Sequence, residues 1–405
     1  MSTSHMKAGI IAAPGQAEKI TGSLIDFLSE KLNTEINDDL HWEIEWLVDP
    51  LTGAAETAEE ILDNANVIKQ RREWDYAICL TDLPIFHTGN IVAADISFHF
   101  QVAQISVPTY GMPPVKNQVE KSIIHLFKAL YEENSVYGQS IKQRRKTEPL
   151  HSPFPMSFVQ REEAQNNKND IEPNMQNRHI EDKNQPNNRD NEQADNEPNE
   201  RYIDVRFLVT PKIIGLLRLI IGMTFSNNPL KIMSAFKGVL AIAFATGAFA
   251  LVFPTVWKLS HYFSAFRLTI IMLVAILGLA FWIILIYNLW ESPSSKNNTV
   301  IRRLYNGATV STLVIDVAGY YFLLFLLFFT VSAIFIPPDY LAANLSGNEQ
   351  SALFNYMRVA WAEASIATIV STMGAGLEEE NTVRNLTYGF RQKQRYNEMK
   401  NHQNS

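Results

Sequence analysis

Apolar residues fall along this chain in two patterns: short runs broken by helical and alternating spacing over the first 130 positions, and three long runs between residues 238 and 336. The first long run, 238–257 (GVLAIAFATGAFALVFPTVW), carries no charge in 20 residues. A helix of that length rises about 30 Å, the thickness of a bilayer's hydrocarbon core. The second, 268–290, is again uncharged, and the third, 314–336, holds YYFLLFLLFF and one acid, Asp316. A fourth stretch, 353–377, is interrupted by Arg358 and Glu363 and crosses only if those charges sit near an interface or face other helices. The pattern predicts a four-helix transmembrane domain over 238–377.

The first 135 residues read differently. Ala8 to Ala13 is a short apolar run closed by Pro14-Gly15, and Ile20, Leu24, Phe27, Leu28 and Leu32 then recur at helical spacing. HWEIEWLV (41–48) alternates, residues 54–74 carry a second helical pattern, and 76–80 is another apolar run. Residues 91–97 and 102–107 are spaced as a hairpin, and 115–131 predicts a last helix. Strands alternating with helices of this length predict an α/β domain, three-layered, with a mostly parallel sheet plus the hairpin.

Between these halves, 161–200 contains 11 asparagines in 40 residues and almost no aliphatic side chain, so 136–200 is expected to be a disordered tether. In 201–237, PKIIGLLRLIIGMTF is too short to span and is expected to lie at the interface or pack on the bundle, with a further helix from 230 to 237. Lys and Arg collect before the first long run, in the loop holding Arg302 and Arg303, and in the tail 378–405. That distribution predicts a multi-pass protein of the cell membrane with both termini cytoplasmic.

Composition adds two constraints. The net charge of −7 argues against a nucleic-acid partner, and a single cysteine, Cys79, excludes an internal disulfide framework and fits a reducing compartment. The first seven residues are polar and the apolar run after them is short, so no signal peptide is expected.

In open α/β sheets ligands bind beyond the carboxyl ends of the strands. That rule selects Gly15 and Gln16, Asp49 and Thr52, Thr81 and Asp82, His87, and Asp95 nearby on the hairpin. Gly15 permits a tight turn into a helix N-terminus able to hold an anion, while Asp49 and Asp82 are suited to a hydroxyl, a cation or a basic group. The same residue types also end strands and cap helices everywhere, which is the more frequent use. The first βα turn has one glycine, so neither the dinucleotide fingerprint nor the phosphate loop is present, and H-E-x-x-H, paired zinc cysteines and G-x-S-x-G are absent. No metal site is expected, although His87, Asp95 and His99 are the residues from which one would be built; no particular cofactor is indicated. In the membrane part, Asp316 is expected at the cytoplasmic boundary within reach of water, Arg358 at the outer face, and Glu363 deeper, paired with Arg358 or partly exposed.

The segments IIAAPGQAEKI, VDPLTG, WDYAICLTDLPI, SVPTYG, ATGAFALV, LWESP, RRLYNGATV and GLEEENTVRNLTYGFRQKQRY together resemble a family of uncharacterised membrane proteins of Gram-positive bacteria. The resemblance implies an α/β domain joined to a membrane bundle; some proteins of this kind are labelled 5,10-methylene-tetrahydrofolate dehydrogenase. Three functions follow as expectations. The first is a non-enzymatic protein whose cytosolic domain binds a small molecule or a protein partner and signals to the bundle. The second is a membrane-anchored enzyme using the strand-end loops, and the third is a transporter or channel subunit. The bilayer is an expected partner in each, and a homo-oligomer in the third.

Overall fold

The computed structural model describes residues 4–36, 40–50, 52, 57–134, 154, 157–161, 203–227, 237–291, 299–345, 352–373, 383–384 and 390. In chain order the first part runs β1 (Ser4–Ala12), α1 (Gln16–Ile36), β2 (Leu40–Val48), α2 (Ala58–Arg72), β3 (Tyr76–Thr81), β4 (Ile85–His87), β5 (Asn90–Ser97), β6 (Val102–Ser106), α3 (Lys116–Asn134), β7 (Ser157–Arg161) and β8 (Val205–Val209). One sheet takes in all eight strands in the order β2-β1-β3-β6-β5-β8-β7, with β4 branching from β5.

The strands β2, β1, β3 and β6 are mutually parallel, whereas β5, β8, β7 and β4 join by antiparallel ladders. The sheet is therefore mixed, and the expected mostly parallel arrangement holds for one half only. The central strands are covered on both faces, which is why β3 is buried along its whole length and reads as a continuous apolar run. Helices α1 and α3 cover one face: Leu24, Leu28 and Leu32 from α1 meet Val119, Ile123 and Phe127 from α3 over Ile10, Ile78 and Trp42. Helix α2 covers the other with Ile61, Leu62 and Ala65 against Ile11, Cys79 and Val102. The Thr57 hydroxyl caps α2 by accepting from the Glu60 amide at 3.2 Å, and Lys69, Arg71 and Arg72 in its last turn face the negative end of the helix dipole.

The sheet does not stop at residue 135. Strand β7 comes from the stretch expected to be tether, and β8 from the stretch expected to hold only interfacial helices; β8 is buried throughout and covers the edge β5 would otherwise expose. The rest of the expected tether, apart from residue 154, and all but the last residue of the helix expected at 230–237 lie outside the described residues, as does most of the tail.

The second part comprises α4 (Lys212–Ser226), α5 (Lys237–Ala250), α6 (Pro254–Tyr262), α7 (Ala265–Ile286), α8 (Thr299–Phe335), α9 (Pro338–Asn344) and α10 (Ala352–Val370). Two of these, α7 and α8, are long and apolar enough to cross a membrane, and α5 with α6 makes a third if the bent pair is one span. The expected straight helix over 238–257 is not formed: the chain turns by 92° between α5 and α6. Pro254, lacking an N–H, starts the new helix at its first turn, the position a helix tolerates. Helix α8 starts 15 residues before the expected position and carries a polar first third that packs against α4.

Candidate functional site at the sheet edge and in the bundle

Six of the eight candidate residues of the soluble part come together at the carboxyl ends of the adjacent strands β2, β1 and β3. Asp49 leaves β2 beside β1, its amide bonded to the Ala12 carbonyl at 3.0 Å, and Ala13 reaches across to the Leu80 carbonyl at 2.8 Å. The Asp49 carboxylate accepts from the Thr52 amide (2.8 Å), the Thr52 hydroxyl (2.9 Å) and the Asn64 side-chain amide (2.8 Å). The Thr81 hydroxyl donates to the Thr52 carbonyl at 2.7 Å. These polar groups knit three loops into one surface, as turn and cap residues do. Cys79 lies beneath it, wholly buried, its thiol pushed well above the ordinary range by burial first and by the Asp49 charge second. Burial and that shift make it an inert core residue rather than a nucleophile.

Gly15 adopts φ +109°, a conformation open to glycine, and no atom lies near the space a side chain would fill. Its amide donates to Glu18 at 3.1 Å, so an anion binding at the start of α1 would replace that carboxylate. Asp82 is buried at the end of β3. His87 ends β4, at the same end of the sheet but across β6 from Thr81.

Asp95 is elsewhere. It sits midway along β5, opposite Gln104 on β6 and Arg206 on β8. Its carboxylate accepts from Arg206 Nε at 2.8 Å and Gln104 Nε2 at 2.9 Å, and Arg206 reaches Glu59 at 3.4 Å. Burial raises the Asp95 carboxyl above its ordinary value despite the guanidinium. This is a buried structural pair binding β8 to the sheet, and Asp95 is taken up by it rather than presented to a ligand or metal. Among the described residues no three His, Cys, Asp or Glu side chains are grouped as a metal site would require.

Sequence reasoning missed what covers the crevice. Helix α4 lies along the carboxyl edge of the sheet: Lys212 is over Gly89 in the β4–β5 turn, Gly215 is against Ile91 and Val209, and Gly222 rests on the Pro108 backbone. Arg218 donates from Nε and Nη2 to the Tyr110 carbonyl at 2.9 and 2.7 Å, and the Ser226 hydroxyl donates to the Gln16 side-chain carbonyl. Gly215 and Gly222 are seven residues apart, two turns on one face, with buried Leu219 between them. That spacing of small residues was the available signal for a close helix approach. The opposite face of α4 is bare apolar surface, with Ile213 75% and Leu217 58% exposed.

In the bundle, Asp316 and Glu363 are 2% and 0% exposed, and neither carboxylate has a hydrogen-bond partner among the described residues. Asp316 is therefore not at a wet boundary: helices packed around α8 close it off. Nor is Glu363 paired with Arg358. The Arg358 guanidinium instead donates to the carbonyls of Ser260 (3.1 Å), His261 (3.2 Å) and Phe263 at the end of α6, where a cation meets the helix's unsatisfied acceptors. Glu363 faces Gly247 of α5 and lies near the Phe328 ring of α8. An apolar cavity of about 540 Å³ opens at the α5–α6 elbow, lined by Phe244, Leu251, Trp257, Phe335 and Tyr340.

No family description, no curated protein and no solved structure matches this chain.

Proposed function

We propose that the chain is an integral membrane protein in which the α/β unit binds a small molecule or partner at its carboxyl edge and passes that event to the helical bundle through α4 and α8. The observation that carries this reading is a shared core. Leu219 and Met223 of α4 and Leu304, Tyr305 and Ala308 of α8 belong to the same buried cluster as Ala94, Ile105 and Tyr110 of the sheet side. A ligand beside Gly15 and Gln16 would press on the C-terminal end of α4, whose Asn227 side chain donates to Thr312 of α8 at 3.0 Å. A two-state bias needs such a contiguous physical element.

Binding would register at both ends of that path. Nucleotides, folates and metal ions are screened by thermal shift on the full chain in detergent. A hit is expected to protect the amides of both 13–18 and 219–227 from hydrogen exchange; protection confined to the first stretch, or no hit, would count against the coupling.

The membrane reading is supported by the outward face of α7, where Leu273, Val274, Leu277 and Phe281 are exposed and no charge accompanies them. The reading takes four crossings, with the α5–α6 pair first and α10 last, and so both termini on one side, assigned to the cytoplasm by the Lys and Arg around them. Reporter fusions after Pro338 and after Arg395 are then expected to read outside and inside respectively; the same side for both would mean that α10 does not cross.

A further inference from the structure

We infer that the bundle carries a proton path running from Asn355 through Glu363 and Tyr320 to Asp316. It rests on the bundle lying in a bilayer, and not on the ligand-coupling reading. Along α10 and the 3-10 turn that follows it, Asn355, Glu363 and Ser371 recur every eight residues, a rise of about 12 Å and a rotation of about 80° at each step, so the three wind around the helix rather than share one face. All three are buried, and Asn355 Oδ1 and both Glu363 oxygens lack partners among the described residues. At the inner end the Ser371 hydroxyl is 2.6 Å from that of Tyr320, and Asp316 stands one turn from Tyr320 on α8. One turn further, Thr312 meets Asn227 at the cytosolic start of the bundle.

Unpartnered acids within an apolar bundle are costly to keep, and they cluster where ions move. Structural acids are normally paired, and here the basic residue closest in sequence to Glu363 is engaged with three carbonyls of α6. A metal cation would need several oxygens around it. Glu363 lies against Gly247 and near the Phe328 ring, neither of which offers a ligand to a metal, and a proton needs none. Between Glu363 and Ser371 along the chain stand the buried Ala364 and Ala367 and the Ser365 and Thr368 hydroxyls, where entering water must complete the line. Of the titratable groups on the helices packed against α10, Tyr305, Asp316, Tyr320 and Tyr321 are buried, His261 and Arg302 are half-buried, and Lys237, Lys258, Tyr262, Arg267, Arg303, Asp339 and Tyr340 are exposed. Each proton transferred enters one carboxylate and leaves the other, and a countercharge must cross to balance it.

The full chain is reconstituted into phosphatidylcholine–phosphatidylglycerol vesicles holding a pH-sensitive dye, with valinomycin and a potassium gradient as driving force. Resistance of the incorporated protein to carbonate extraction reports the bilayer reading separately. Wild type is expected to change the luminal pH faster than empty vesicles do, E363Q and D316N each to fall to the empty-vesicle rate, and Y320F to fall between. Thr330→Val, on the exposed face of α8, is expected to keep the wild-type rate. Gel filtration of E363Q and D316N separates lost folding from lost conduction, and two independent variants guard against one failing to assemble. An inert but correctly inserted wild type, a flux that follows sodium rather than pH, or a folded E363Q that still conducts would overturn the proposal.

Discussion

Replacing Arg206 with Met is expected to destabilise the folded chain by about 3–5 kcal/mol, the cost typical of removing one partner of a buried ion pair. The Arg206 side chain is 2% exposed and Asp95 is wholly buried, so the carboxylate left behind has Gln104 for company but no cation. The loss has a pH signature. Burial already raises the Asp95 carboxyl above its unfolded value, and taking the guanidinium away removes the influence that lowers it. A group that binds its proton more tightly when folded loses stability as pH rises between its unfolded and folded pKa, so R206M should melt lower at pH 8 than at pH 5 by more than the wild type does. The double variant D95L/R206M is expected to recover most of the loss, because an apolar pair of similar volume avoids burying a lone charge. Thermal melts of the full chain across that pH range decide it; equal melting of R206M and wild type would mean that the Arg206–Asp95 pair contributes nothing net to the fold's stability.

Gly222→Ala brings two opposing effects together. Alanine in a helix interior gains up to about 1 kcal/mol over glycine. At this position the new Cβ would lie 2.1 Å from the Pro108 carbonyl oxygen and 2.8 Å from its carbon, backbone atoms that cannot rotate away. Overpacking of this kind costs about 1–3 kcal/mol, so the net expectation is a lower melting temperature and faster hydrogen exchange in the Val107–Tyr110 turn as α4 lifts from the sheet edge. Gly278→Ala is the control. No atom lies within 4 Å of its Cβ, and it should leave the melt unchanged or raise it. If G222A behaves like G278A, the seat of α4 is looser than its geometry here.

The α/β pattern was legible because its signals are local. Alternation marks β2, an uninterrupted apolar run marks β1 and β3, and i, i+4 spacing marks α1. What escaped depends on partners far along the chain. Strand β8 is five residues long and its role in the sheet depends on β5, more than a hundred positions earlier. Asp95 looked like a ligand-binding acid until Arg206, 111 residues away, was found against it. In the bundle, counting along one helix places Asp316 at the boundary, while its burial is decided by the helices packed beside it. Run length likewise counted residues 251–257 as a continuation of a helix that Pro254 redirects. Of the candidate site, the strand-end loops could be named from sequence because topology fixes where they gather. The helix laid over them is marked only by Gly215 and Gly222 on one face, a spacing that signals a close approach without saying to what.

Strands β7 and β8 have one more consequence. They pair antiparallel, with Arg161 opposite Val205, so the 43 residues between leave and re-enter the fold at a single rung of one ladder. The entropic cost of closing a chain segment rises only about 0.6 kcal/mol for each doubling of its length. Ile203 and Asp204, just before that rung, are fixed, Ile203 in the core and Asp204 by its amide's bond to the Ile96 carbonyl and by the Phe98 amide on its carboxylate. A change of length between 162 and 202 therefore leaves the register on either side unaltered, and relatives of this chain should differ most in size there.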